Sequence, residues 1–252
     1  MSSSADTVRG WSGREAAPAP ARRLSRAARL LGTVLVAAGA LGLLWAVVVW
    51  RWQDPVTALY TKWDQHELTG AYRQRRADEA GLARLAAQGQ LPLAARRYRL
   101  ASGVGDPIGR IEIPRLGLNM ILVNGADPAS LRKGPGRDLR SFMPGEGQLV
   151  YVAGHRTTFL APFSHIERLR PGDRVTIELP YATFVYAITS HAIVPADDLA
   201  VLRSHDREQL ALQACHPRFF ASQRYIAYAR PVQIELVRAS RSARAAGHPP
   251  GW

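Results

Sequence analysis

A chain of 252 residues, 47% of them apolar, has room for one well-buried domain plus extra segments, and not for two large domains. The formal charge of +13 is unevenly spread: residues 1–29 and 56–103 carry +4 each and the tail from Arg238 carries +3, while residues 104–237 carry only +2. That central stretch lacks the basic face of a nucleic-acid-binding domain, so no nucleic-acid partner is expected.

Residues 1–20 are rich in Ser, Ala and Pro and are expected to be disordered; with the arginines that follow they form an N-terminal tail, 1–29. Leu30–Trp50 is an uncharged apolar run of 21 residues between Arg29 and Arg51. That length lets a helix cross a hydrocarbon layer of ~30 Å. Trp45, Trp50 and Trp52 gather at its far end as an interfacial aromatic belt does. A secretory signal has a shorter apolar region and a small-residue cleavage site, whereas this run ends in VVVWRW, so an uncleaved transmembrane helix is expected over 30–50. Arg22, Arg23, Arg26 and Arg29 precede it, and the positive-inside rule then leaves the N-terminus in the cytoplasm. The expectation is a single-pass type II protein of the cell membrane, with the bilayer as a partner and everything after Trp50 outside.

From Val56 to about Leu100 the chain is rich in Ala, Arg, Gln and Glu, with Leu59, Trp63, Tyr72, Leu82 and Leu85 loosely spaced. This predicts a helical stalk within the linker 51–103, interrupted at Gly89-Gln90-Leu91-Pro92 and solvated rather than packed on a domain.

From Gly109 the period changes. Strands are predicted at Arg110–Ile113, Leu118–Val123, Gln148–Ala153, Arg174–Leu179, Phe184–His191, Leu210–Cys215 and Tyr225–Leu236, separated by Gly/Pro/Asp turns such as Pro171-Gly172-Asp173. Seven or eight short strands over 104–237 argue for an all-β domain, a compact barrel or a sandwich. Ala161–Leu169 and Asp198–Ser204 read as short surface helices or turns, and the small, basic tail 238–252 as disordered.

Cys215 is the sole cysteine, which excludes an intrachain disulfide and a structural zinc site. It is then either buried filler, as free cysteines often are, or a nucleophile, and composition leaves both open. Its neighbours favour the nucleophile. Pro217 ends the strand, and Arg224 opens the returning one, so Cys215 and Arg224 stand at the same end of a hairpin. A guanidinium there can stabilise a thiolate or an acyl oxyanion; Arg218, in the loop, is more easily solvated. His216 is adjacent, but strand alternation turns it to the opposite face. His155, behind Gly154 at the end of Gln148–Ala153, is placed to act as the base. The other histidines, 66, 165, 191, 205, 216 and 248, read as surface or hydrogen-bonded residues. No metal cluster, phosphate-binding glycine loop or nucleotide motif is present, and no cofactor is expected.

GHRTT around His155, KGPG at Lys133–Gly136, APF at Ala161–Phe163, RLRPGD at Arg168–Asp173 and CHPRF at Cys215–Phe219 together resemble the bacterial sortases. The likeness is greatest to class E of high-GC Gram-positive bacteria, with class D as neighbour, and covers about Gly105 to Leu236. It implies a sortase-like eight-stranded β-barrel and a cysteine transpeptidase. Such an enzyme cuts surface proteins at a C-terminal LPxTG-like sorting signal and joins the Thr carboxyl to a cell-wall amine. Carried over, Cys215 forms the thioacyl intermediate, His155 is general acid/base, and Arg224 binds the substrate backbone and stabilises the oxyanion. Thr157, Thr158 and Ala214 are the substrate-binding candidates. Calcium dependence, known in some sortases, is left open by scattered acids such as Glu146 and Glu167.

Two positions depart from the family pattern. Ala214 stands where sortases often have Thr, which removes a hydroxyl near the oxyanion hole. Gly136-Arg137-Asp138 stands where class E chains often read Gly-His-Tyr, which leaves the choice between LAxTG and LPxTG open and gives Asp138 a role in it. Asp54-Pro55-Val56 lacks the aromatic of a class C lid, and Gln213-Ala214-Cys215-His216 lacks the Ser-x-Gly-Cys-x-Arg setting of L,D-transpeptidases. A thiol protease that releases its thioester to water is a further enzymatic alternative. The non-enzymatic one is a degenerate sortase-like barrel serving as a membrane-tethered binding module, which the intact His155, Cys215 and Arg224 set opposes.

Overall fold

A computed structural model describes residues 21–51 and 55–237; the expectations on 1–20, 52–54 and 238–252 lie outside the described residues. The chain divides into two bodies near Val48. The first is helix α1, Ala21–Arg51, whose stretch Arg26–Val47 has a mean hydropathy of 2.2 and is long and apolar enough to cross a membrane. Residues 21–29, expected in a disordered tail, belong to this helix. Ala, Leu and Arg are strong helix formers, and they extend the helix beyond the apolar run.

The second body opens with α2 (Pro55–Asp78), α3 (Ala80–Ala87) and α4 (Leu91–Ala101). The interruption falls where the sequence placed it, with Gly89 at φ +80° between α3 and α4. The expected solvated stalk is not what these helices are. Ala86, Ala94, Ala95 and Tyr98 are fully buried in one core with Ile108, Leu122 and Tyr181. The Tyr98 hydroxyl donates to the Ile108 carbonyl at 2.9 Å. On α2, Leu68 and Tyr72 pack on Ile121 and Val123, and the Tyr72 hydroxyl donates to Glu178 O at 3.0 Å. The buried stripe of α3 and α4 is mostly alanine, and small side chains let the helix backbones approach the domain closely.

Eight strands follow: β1 (Pro107–Ile113), β2 (Leu118–Asn124), β3 (Gly136–Arg137), β4 (Leu149–Ala153), β5 (Arg174–Glu178), β6 (Ala182–Pro195), β7 (Gln209–His216) and β8 (Gln223–Leu236). They close into a barrel in the order β1-β2-β3-β4-β7-β8-β6-β5, with β5 pairing back onto β1. Alternation does the folding work: Ile111 and Ile113 enter the core while Arg110 and Glu112 face outward. Of the two architectures the pattern allowed, a barrel forms, with no strand left unpaired among the described residues. The eighth strand, β3, is only two residues long and carries no readable period. Gly136 is required there, since a Cβ would lie 2.0 Å from Gly125 O. The segments 161–169 and 198–204 contain single 3-10 turns, Ile166–Arg168 and Leu199–Leu202, the latter capped by Asp198.

Two pairings position the site. β4 and β7 run parallel, Leu149 opposite Gln209 through Ala153 opposite Gln213, a constant offset of sixty. β7 and β8 run antiparallel, with Cys215 opposite Arg224.

Candidate active site

Cys215 is a free, half-buried thiol on the outer face of β7. Alternation sorts its strand: Leu210, Leu212 and Ala214 go to the barrel core, while Gln213 and Cys215 line a cleft of about 290 Å³. Tyr151 and Ala153 of β4 line the same cleft, as do Asp138, Arg140, Leu199, Val201, Leu202 and Arg224. The strand runs one residue past the expected end, to His216, and the His216–Pro217 peptide is cis.

Arg224 faces Cys215 across the β7–β8 ladder, as the hairpin argument required. Its Nη1 donates to the main-chain oxygens of Ala221 (2.8 Å) and Gln223 (3.0 Å). Carbonyl partners leave its charge uncancelled, so the guanidinium can meet an anion formed in the cleft.

His155 lies two residues beyond the last β4–β7 pair, and the offset of sixty puts it level with Cys215. Gly154 still donates to Gln213 O at 3.0 Å, so the register holds up to the residue before the histidine. Tyr151 and Ala153 line the cleft, whereas His155, two residues past the end of β4, is not among its lining residues. Its ring packs on Phe159 with centroids 5.0 Å apart, and Nε2 is buried without a hydrogen-bond partner among the described residues. Burial, and secondarily the charge of Arg132, push its pKa below the ordinary 6.5, so the ring is neutral at pH 7. A neutral imidazole carries one ring nitrogen that can accept a proton and one that can donate.

The substrate-binding candidates fare differently. Ala214 is fully buried in the core, facing away from the cleft, so no contact there was lost with the hydroxyl. The reason is the alternation that brings Cys215 out. Thr157 and Thr158 are half-buried in the loop after His155 and do not line the Cys215 cleft; the Thr158 carbonyl accepts from Ala161 N at 2.8 Å, a turn contact. Asp138 does line the cleft, but its carboxylate is held by Arg140, through Nη2 at 2.7 Å and Nε at 3.0 Å. Those bonds keep the Asp138 pKa below its usual value against the cost of burial. Arg137 before it is buried, its Nε and Nη2 donating to Asn124 Oδ1 at 3.0 and 2.7 Å and its Nη1 to the Ser141 carbonyl. Burial lowers its pKa to about 10. It thereby fixes the turn that carries Asp138 and Arg140 to the cleft wall. The sequence singled out both departures at 137 and 138; it missed Arg140, which carries no pattern in an arginine-rich chain, and gave no role to Arg156 inside the GHRTT motif. Among the described residues no group of three or more His, Cys, Asp or Glu side chains converges to hold a metal ion.

A closed β-barrel with a free thiol and an opposed guanidinium on paired strands, and an imidazole just past the end of the next strand, defines a candidate site for nucleophilic acyl chemistry. Residues 111–232, just under half of the chain, match the sortase domain. The chain is 33% identical over 132 residues to Sortase D of Bacillus subtilis (strain 168), an alignment covering 51% of this chain and 65% of that protein, just under two thirds. Its fold is similar to a Clostridium perfringens Sortase D5 transpeptidase, at a TM-score of 0.50 and 25% identity over 55% of this chain and 87% of the other. It also superposes on Sortase E1 from Streptomyces coelicolor, solved with a tripeptide in the active site, at a TM-score of 0.50, 24% identity, and 59% and 98% coverage. At that identity the second likeness concerns the fold alone.

Proposed function

We propose that this chain is a membrane-anchored cysteine transpeptidase that cleaves a C-terminal LPxTG- or LAxTG-like sorting signal and transfers the Thr carboxyl to a cell-wall amine. The observation that carries the reading is the pairing of Cys215 with Arg224 across β7 and β8, with His155 just past the end of β4 at the offset that matches Cys215. In the first half-reaction His155 takes the proton of the Cys215 thiol as Sγ attacks the Thr carbonyl carbon, and the oxyanion forms beside Arg224. The C–N bond to the next residue breaks, the departing amine takes a proton from His155, and a thioester remains. In the second half the incoming amine attacks the thioester and gives a proton to His155. The C–S bond breaks, and the thiol is restored. A thioester resolved by water instead gives hydrolysis.

The apolar stretch Arg26–Val47 supports an anchor, and the arginines at 22, 23, 26 and 29 support an N-terminus inside and a barrel outside. That placement would bring the cleft to where exported proteins and wall precursors meet. Asp138 and Arg140 on the cleft wall are the residues placed to discriminate between signals.

The test incubates the protein with LAxTG and LPxTG peptides and an amine, and follows Cys215 by mass spectrometry. An adduct that passes to the amine and is absent in Cys215→Ala is the expected result. A folded protein with an accessible thiol and no adduct from either peptide would count against the reading and favour a binding barrel.

A further inference from the structure

Arg156 follows His155 directly, yet its side chain is only 6% exposed. The last backbone rung between β4 and β7 is Gly154 N to Gln213 O at 3.0 Å. Two residues further along both segments, the next carbonyl of that row is Cys215 O, and it receives Arg156 Nη1 at 3.0 Å. A side chain thus continues the ladder beyond the last strand pair. The same Nη1 lies 2.9 Å from His216 Nδ1. An arginine nitrogen only donates, so Nδ1 accepts and the neutral ring carries its proton on Nε2. Nη2 donates to Glu167 Oε2 at 2.9 Å, on the turn Ile166–Arg168. The guanidinium also lies over Tyr225, 5.9 Å from the ring centroid, and Tyr225 is the neighbour of Arg224 on β8.

We propose that Arg156 is a positioning residue that fastens the loop bearing His155 to the main chain of Cys215 and so sets the spacing of the reacting pair. The inference rests on the transpeptidase reading. Arg156 meets the carbonyl of Cys215, so it acts through the backbone. Its planar fork is what allows one nitrogen to hold Cys215 and His216 while the other holds Glu167; a lysine offers one point charge and cannot span them. A displacement of about 1 Å between reacting groups costs on the order of 10²-fold in rate.

The test reads the pair without substrate. Cys215 is the sole thiol, so iodoacetamide alkylation of the full chain in detergent reports its reactivity against pH. The wild type is expected to show an inflection that His155→Asn removes, the mark of a coupled thiol and imidazole. Arg156→Met and Arg156→Lys are expected to lose that inflection too, and to lower kcat for transfer about 10²-fold with KM held within about threefold. Glu167→Gln releases only the far end of the guanidinium and is expected to weaken the inflection in a chain of near-native thermal midpoint. Arg156 and Glu167 variants that keep the wild-type inflection and kcat would overturn the inference, whatever their stability. A wild type with no His155-dependent inflection would overturn the catalytic pair and this inference together.

Discussion

Truncating Tyr98 tests whether the helices before the barrel are part of the fold or a spacer. Tyr98 is fully buried on α4, its hydroxyl on Ile108 O at 2.9 Å and its ring edge-on to Tyr181 at 5.8 Å. The Arg75 guanidinium lies 5.1 Å from its centroid. Removing a buried aromatic ring costs about 3–5 kcal/mol, since the helix cannot collapse onto the space left behind. Removing only the hydroxyl leaves the ring packed and one buried carbonyl short of a donor, for about 1–2 kcal/mol. In a body of this size each kcal/mol moves the midpoint by about 2–4 °C, giving roughly 6–20 °C for Tyr98→Ala and roughly 2–8 °C for Tyr98→Phe. Thermal unfolding followed by near-UV circular dichroism reads both. A Tyr98→Ala midpoint within about 3 °C of wild type would refute the reasoning, because a solvated stalk has no ring to lose.

Three further outcomes are expected. Burial lowers the His155 pKa below 6.5, so between the folded value and 6.5 the unfolded chain binds a proton that the folded chain does not. Stability therefore falls as pH drops through that window, and thermal midpoints at about pH 7.5 and about pH 5.5 should differ less in His155→Asn than in wild type. Arg224→Lys has no second nitrogen to reach the cleft while the first holds both carbonyls, and steady-state kinetics should show kcat reduced about 10²–10³-fold with a smaller change in KM. Gly136→Ala drives a methyl into Gly125 O and should separate β3 from its neighbours, a loss of about 1–3 kcal/mol or more visible in urea unfolding.

The barrel was legible wherever strands alternate or carry β-branched runs, because the period of 2 is written into residues such as Arg110-Ile111-Glu112-Ile113. It was illegible where an element is too short to show a period, as in β3, or where the packing stripe is made of alanine. Ala83, Ala86, Ala94 and Ala95 are all buried, but alanine carries too little apolar signal to separate a docked helix from a solvated one. β6 is expected to end at His191; in the structure it continues to Pro195, with residues 191–195 paired to β8.

The site divides along the same line. Cys215 and Arg224 were legible because the hairpin that opposes them is local, and Pro217 marks its end. Their relation to His155 depends on the parallel β4–β7 offset, which no local pattern encodes. That dependence explains why the surroundings hold register so firmly. A slip of one residue in β7 would turn Cys215 into the core and bring Ala214 to the cleft, exchanging a thiol for a methyl. The contacts that oppose a slip lie close by: Gly154 N on Gln213 O, the Arg156 guanidinium on Cys215 O, and the Cys215–Arg224 pairing on the other edge. The site is therefore a property of strand register, and the residues that fix register should affect chemistry nearly as much as those that perform it.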